Sequence, residues 1–271
     1  MKMKKLLAIV LTVVMAASLF VGCGAKPTNK DAEESDFAYI TDKGTLTIGM
    51  TLFAPMDYME NNELVGFEVD FGRAVCEKLG VEADFVEINW DAKEIELNAK
   101  NIDCIWNGMT ITDERKANMS VSNPYMTNKQ VMIAKKDKAE SFKASVEGAL
   151  VVAEAGSAGE ELATEDEFFK AAKFTAVDSQ AKALMDVASG TSDVAVVDYV
   201  LSIGSIGEGT DYQDLVVVES QEFSPEEYGI AFRKGSDVTE KVNEAISELV
   251  ADGTLAEIAA KYKLQDVLSA K

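Results

Sequence analysis

Apolar residues recur along this chain in two rhythms. Between Phe67 and Leu79, the positions Phe67, Phe71, Ala74, Val75, Lys78 and Leu79 fall at helical spacing, with polar residues between them. That spacing predicts an amphipathic helix, and Gly80 supplies its stop signal. Shorter apolar runs at Leu46–Met50, Ala83–Ile88 and Ile102–Trp106 predict strands, the first after a turn at Lys43-Gly44. A second helix is expected over Asp91–Lys100, with Ile95, Leu97 and Ala99 turned inward. Strand, helix, strand, helix, strand is the pattern of a doubly wound α/β unit with parallel pairing.

The theme returns downstream. Ala149–Ala153, Phe174–Val177, Asp193–Val197, Leu215–Glu219 and Tyr228–Arg233 predict strands. Ser157–Ala172, Ser179–Ala188 and a segment from Asp198 predict helices, and Thr239–Asp252 and Leu255–Lys263 predict two more at the end. The two α/β sets share no strong sequence repeat. Between them lies Ser122-Asn123-Pro124-Tyr125, a turn-prone crossing point. Ligands of open α/β sheets collect beyond the carboxyl ends of the strands. This puts Phe53, Trp90, Asn107 to Thr112, Glu154 to Ala158 and Asp198 on the candidate ligand-facing edge.

Composition narrows the chemistry. The chain has 271 residues, enough for about two structural units. Lys and Arg number 26 against 47 Asp and Glu, a net charge of −21. Such a surface repels nucleic acid, whose phosphates need clustered Lys and Arg. There is no His. That removes His-based metal sites, Ser-His and Cys-His nucleophile pairs and the usual proton shuttle. No catalytic residue, metal ligand or cofactor is expected.

The first residues read as an address. Met1 to Lys5 is basic, and Leu6 to Phe20 is apolar but too short for a comfortable membrane span. Phe20-Val21-Gly22-Cys23-Gly24 resembles the lipobox of bacterial lipoproteins, although the usual Leu is replaced by Phe20. The resemblance implies cleavage after residue 22 and a lipidated Cys23 that anchors the protein to the outer face of the cell membrane. Ordinary secretion with a chance Cys is the alternative. Gly24 to Asp36, GAKPTNKDAEESD, is polar and reads as a flexible tether. Cys76 and Cys104 each sit in an apolar stretch. Two buried thiols fit better than a disulfide, whose geometry a sequence cannot test.

Several motifs, taken in order, resemble one family. They are Pro55-Met56-Asp57-Tyr58, Gly66-Phe67-Glu68-Val69-Asp70, Asn107 to Arg115 (NGMTITDER), Ser122-Asn123-Pro124-Tyr125, Gly156-Ser157, Asp193 to Asp198, and Tyr228-Gly229-Ile230-Ala231-Phe232. Together they resemble the polar amino-acid-binding proteins of ABC transporters, bacterial solute-binding protein family 3, in lipoprotein form, and they cover nearly all of the chain from Leu46.

The resemblance implies a two-lobe, periplasmic-binding-protein-like (type II) α/β fold: two doubly wound lobes joined by two hinge strands. Lobe 1 would comprise 37–124 and 230–271. Hinges and lobe 2 would span 125–229, with a lobe 2 core of about 130–224. By the same resemblance Arg115 grips the ligand α-carboxylate, a task its two parallel donors suit and Lys cannot copy. Gly108 and Thr110 share the ligand's head group. Ser157 donates from lobe 2 at a helix start, Asp198 pairs with the α-ammonium, and Phe53 and Trp90 flank the side chain. Alone, Arg115 reads as well as a surface charge after Asp113-Glu114, Asp198 as a helix cap, and the aromatics as core.

Glu154 stands where a related glutamine-binding protein places Lys, and Thr51 where binders of basic amino acids tend to place an acid. The pair points to a neutral polar amino acid, although Glu154 could instead attract a cation. The implied partners are a free amino acid, ABC permease subunits and the lipid bilayer, with the protein acting as a monomer and not as an enzyme. The alternatives are an enzyme on the same fold, of the cyclohexadienyl-dehydratase kind, and a surface sensor or adhesin. For the enzyme, Glu154 is the one acid or base that can be named.

Overall fold

The computed structural model describes residues 35–219 and 222–270. The leader, the lipobox with Cys23 and most of the tether lie outside the described residues. Ser35 and Asp36, read as the end of the tether, instead start the fold. Ser35 caps helix α1 (Asp36–Lys43) by accepting from the Ala38 N–H, and Asp36 meets the Arg233 guanidinium at 3.0 Å. The polar composition that reads as a tether is here the polarity of a helix cap.

Strand β1 (Thr45–Met50) follows, then a hairpin, β2 (Tyr58–Glu60) and β3 (Glu63–Val65). Helix α2 (Phe67–Leu79) comes next, then β4 (Glu82–Glu87). A single 3₁₀ turn (Trp90–Ala92) opens into α3 (Lys93–Asn98), followed by β5 (Cys104–Ile105), α4 (Asp113–Asn118) and β6 (Ser120–Val121). Along the second half run β7 (Met126–Lys135), α5 (Ala139–Phe142), β8 (Leu150–Glu154), α6 (Ala158–Glu165), β9 (Lys173–Val177) and α7 (Gln180–Ser189). The chain then forms β10 (Val194–Asp198), α8 (Tyr199–Ser205), β11 (Leu215–Val217), β12 (Pro225–Tyr228) and β13 (Ala231–Phe232). It closes with α9 (Val238–Ala251) and α10 (Thr254–Lys261).

The strands make two main sheets, one in each of two lobes. The first has the order β4-β1-β5-β13-β6 and the second β11-β7-β10-β8-β9. In each, the central strands are buried on both faces, as sheets covered on both sides are. Leu46 and Ile48 of β1, and Val194 to Val197 of β10, are buried. The edge strand β4 alternates half-buried Ala83 and Phe85 with exposed residues. Helix α2 turns Phe67, Phe71 and Val75, four apart, into the first core. Each fully buried side chain of that kind contributes about 1.5–3 kcal/mol. Gly80 ends the helix in the left-handed conformation and donates to the Cys76 and Glu77 carbonyls.

Three segments depart from the sequence pattern, the first in its period. Of Ile95, Leu97 and Ala99, only Leu97 is buried; Ile95 is 70% exposed. Steps of two suit a strand, whereas on a helix the partner of Leu97 is Lys93, four residues back, and Lys93 is indeed buried. The helix expected over Ser157–Ala172 stops at Glu165, where Asp166 caps a separate 3₁₀ turn. The strand expected over Tyr228–Arg233 is divided at Gly229 and Ile230 between β12 and β13.

β7, ten residues long, joins the lobes. Its first half pairs antiparallel with β12, Met126 opposite Tyr228 and Lys129 opposite Pro225. Its second half is a strand of the second sheet, between β11 and β10. The C-terminal tail ties into the same place: Thr127 donates to the Val267 carbonyl at 2.8 Å, and Ser269 to that of Tyr125 at 3.0 Å. Cys76 and Cys104 are unbridged and buried in one apolar cluster.

Candidate functional site

Where the carboxyl ends of both sheets face each other, a small cavity is enclosed. It is lined from the first lobe by Trp90, Asn107, Gly108, Thr110 and Arg115, and from the second by Glu154, Ser157, Gln180 and Asp198. These side chains leave a void of about 10 Å³, room for about one water-sized sphere, so the lobes stand drawn together. Of the seven residues singled out from the sequence, six line this space. Phe53 lies one layer back: its ring abuts Gly108, where an added Cβ would come within 2.9 Å of Phe53 Cζ. With φ at +55° as well, that position accepts little besides glycine.

Arg115 is anchored by its own loop. Thr112 caps helix α4 by accepting from the Arg115 N–H, and Arg115 Nη1 donates to the Thr110 carbonyl at 2.7 Å. The buried guanidinium then reaches across the cleft, where Nη2 donates to Glu161 Oε1 on helix α6 at 3.0 Å. Ser157 caps α6, accepting from the Glu160 N–H at 3.1 Å. Ser157 and Ala158, at the start of the helix, line the cavity, and a helix start suits an anion.

Asp198 begins helix α8 without capping it. Its carboxylate turns instead to amides: Asn128 Nδ2 (2.6 Å) and Gln130 Nε2 (2.7 Å) on Oδ1, and Gln180 Nε2 on Oδ2. Asn128 Oδ1 accepts from the Val200 N–H in its place. Burial raises the Asp198 carboxyl above its usual range, and the surrounding amides oppose the rise. Glu226, on β12, accepts from the same two amides of Asn128 and Gln130. Burial and the charge of Asp198 push it up to about 7.

Glu154, at the end of β8, is 3% exposed, and its Oε1 has no hydrogen-bond partner. Burial first, and Asp198 second, push its carboxyl up to about 8. Lys93 lies behind the wall made by Trp90 and Gly156. It donates to the Gly156 carbonyl across the cleft at 2.8 Å and to that of Trp90 at 3.2 Å, with its ammonium 5.0 Å from the Trp90 ring centre. Burial, then Arg115, lower it to about 8.

Below the first lobe's edge, Glu68 accepts from the Gly108 N–H at 2.9 Å and from the Tyr125 hydroxyl. Asp57 accepts from Asn107 at 2.9 Å. Burial, with Glu68 beside it, holds the Asp57 carboxyl well above the usual range. Outside Glu161 the cleft opens into a depression of about 780 Å³ that shares Thr110 and Ala158 with the inner cavity and carries Glu161, Glu165, Glu167 and Glu226 on its walls.

Lys93, Glu161, Gln180, Asn128, Gln130 and Glu226 were not singled out from the sequence. Lys93 carried a signal, a charged residue four before Leu97 on the buried stripe. The others are ordinary polar residues until the lobes meet. Among the described residues no group of His, Cys, Asp and Glu is arranged to hold a metal ion, and no helix is long and apolar enough to cross a membrane.

Residues 46–265 match the family model of bacterial extracellular solute-binding proteins, family 3. The chain belongs to this family. It is 30% identical over 259 residues to the L-cystine-binding protein TcyJ of Escherichia coli (strain K12), covering 94% of each chain. It is 31% identical to the L-cystine-binding protein TcyA of Bacillus subtilis (strain 168), covering 97% of this chain and 98% of the relative. Among solved structures, an ABC uptake transporter substrate-binding protein from Streptococcus pneumoniae with bound histidine matches with a TM-score of 0.77 at 30% identity, covering 87% of this chain and 98% of the other. The two-lobe architecture is the type II periplasmic-binding-protein fold, the family is one of extracellular solute-binding proteins, and the named relatives are amino-acid-binding proteins.

Proposed function

We propose that this protein captures a free, neutral polar amino acid between its lobes and delivers it to a membrane permease. One observation carries the reading: Arg115 from one lobe and Ser157 and Asp198 from the other line a single buried cavity. A zwitterion needs a cationic fork for its carboxylate and an acid for its ammonium. Arg115, Ser157 and the first turn of α6 supply the one, and Asp198 the other. Gly108 and Thr110 shape the floor, and Trp90, with Phe53 behind Gly108, forms the aromatic wall. Among the described residues, lobe 1 takes 35–124 and 230–270, and the hinges and lobe 2 lie between them. Closure removes water from these bonds and strengthens them.

Charge argues against an acidic ligand. The acidic walls outside Glu161, and Asp198 inside, repel an acidic side chain. Cystine, the ligand named for TcyJ and TcyA, is neutral in sum and belongs among the candidates. Cys23 is read as lipidated, which holds the protein at the outer membrane face.

Thermal shift against the twenty amino acids and cystine tests the reading, because a ligand of the folded state stabilises it by RT ln(1 + [L]/Kd). Arg115→Ala should then cost about 2–5 kcal/mol of binding, the range for a broken buried charge pair. Full affinity in that variant would reject the site.

A further inference from the structure

We propose that Glu154 reads the far end of the ligand side chain by accepting an N–H, and that the Lys93 ammonium behind the cavity wall makes the preferred end neutral in sum. The inference rests on the amino-acid reading above and names the side-chain class within it.

Arg115, Ser157 and Asp198 are all engaged by the ligand's head group in that reading. What is left in the cavity wall is Glu154. Its burial is nearly complete, its Oε1 has no partner, and it faces the same void as Trp90 and Gln180. A buried carboxyl without a donor is costly, and the cost is relieved when a ligand brings one. Neighbouring donors are committed elsewhere. Gln180 spends its amide on Asp198, and the two placed bonds of Lys93 go to backbone carbonyls. Glu154 is therefore an acceptor awaiting a donor from outside the protein.

Lys93 decides which donor. Its ammonium is buried and held on both sides of the cleft by the Trp90 and Gly156 carbonyls, so it cannot swing away from a bound cation. Arg115 adds a second positive charge nearby, enough to lower the affinity of Lys93 for its own proton. A guanidinium or ammonium laid against Glu154 would meet both. An acidic end would meet the charge of Asp198 and find no positive partner at Glu154. A group that carries an N–H donor and an oxygen acceptor together, with no net charge, satisfies Glu154 and avoids the repulsion that Lys93, behind the wall, exerts on a cation. Two sources share that chemistry: a carboxamide, as in glutamine, and a second amino-acid head, as in cystine.

Titration calorimetry of the full mature chain with glutamine, asparagine, cystine, arginine, lysine and glutamate tests this. Glutamine or cystine should bind at least tenfold tighter than arginine, lysine and glutamate, and whichever of the two wins identifies the source. Lys93→Met should shift the ratio of neutral to cationic affinity at least tenfold toward arginine and lysine. Glu154→Leu should weaken the preferred neutral ligand at least tenfold, and Glu154→Gln, which keeps an acceptor oxygen, should recover most of that loss. Arginine, lysine or glutamate as the tightest wild-type ligand overturns the inference, and this measurement needs no variant to fold. So does an unchanged affinity ratio in folded Lys93→Met. If none of the six amino acids binds and the wider screen is also blank, the amino-acid reading itself fails instead.

Discussion

Closure of the two lobes depends on a glycine whose side-chain position is already occupied. Gly204 lies in helix α8 of the second lobe, against Pro55 of the first. An added Cβ there would fall 2.8 Å from Pro55 Cδ, 2.9 Å from its nitrogen and 3.0 Å from its Cβ. Ordinary carbon contacts begin near 3.5 Å, so the shortfall is about 0.7 Å. Pro55 cannot yield as a flexible side chain would. Its carbonyl accepts from the Phe67 N–H at 2.9 Å, which fixes the loop to the start of helix α2. The lobes themselves can separate, and that is where the strain should go.

Gly204→Ala therefore has two opposite effects. Inside its helix, alanine is favoured by about 0.5–1 kcal/mol, and the site lacks the positive φ that would forbid it. Between the lobes, overpacking of this size costs about 1–3 kcal/mol. Because binding is coupled to closure, the second term appears as a loss of affinity of about 5- to 150-fold. The assay pairs calorimetry, using the amino acid that most stabilises the unaltered chain, with small-angle scattering at saturating ligand and a melting scan without it. Weaker binding, a less compact saturated state and an undiminished melting temperature are expected. Wild-type affinity with wild-type compaction refutes the argument, and so does a fall in melting temperature, which would place the clash inside a lobe.

Other outcomes follow from the same geometry. Glu161→Gln removes the acid that competes for the Arg115 fork; since Glu161 is half exposed, the gain in ligand affinity should stay near 1 kcal/mol, about fivefold by calorimetry. Burial raises Glu154 from 4.5 to about 8, so the folded state holds a proton that the unfolded state has released. Stability should then fall as pH rises from about 4.5 to about 8, and denaturant titrations of Glu154→Gln should show a shallower fall. Burial pushes the Cys76 thiol up to about 12 and Cys104 well above its usual range. Mass-mapped alkylation at neutral pH should spare both until denaturant is added.

Much of this is legible in the sequence, and the reason is physical. Phe67 to Leu79 carries its own period and its own stop, so local sequence determines it. The short buried strands of each sheet read as apolar runs because both of their faces are covered. β7 was not read as a strand beyond its role at the crossing. Its first half, Met126-Thr127-Asn128-Lys129-Gln130, is mostly polar because it bridges lobes and pairs chiefly with β12, and only its second half runs through the core of the second sheet. The site divides in the same way. Arg115 and Ser157 announce themselves through the motifs around their caps. Lys93, Glu161 and Glu226 become site residues only through contacts with partners 46 to 98 positions away, a distance over which no local pattern speaks.

Those distant contacts also explain how a bound zwitterion could move two lobes. The acid proposed for its ammonium, Asp198, is held by Asn128 and Gln130 of one joining strand, and the same amides hold Glu226 of the other. The Gly108 backbone proposed for its head group is held by Glu68, which also takes the Tyr125 hydroxyl where the first joining strand begins. Ligand-facing groups on both lobes are thus hydrogen-bonded directly to the hinge. Rotation about β7 and β12 cannot proceed while they stay in place, since each buried amide or carboxylate would lose its partner at about 1–3 kcal/mol apiece. A ligand that engages Asp198 and Gly108 together stabilises one setting of that network, and the lobes follow it as a unit.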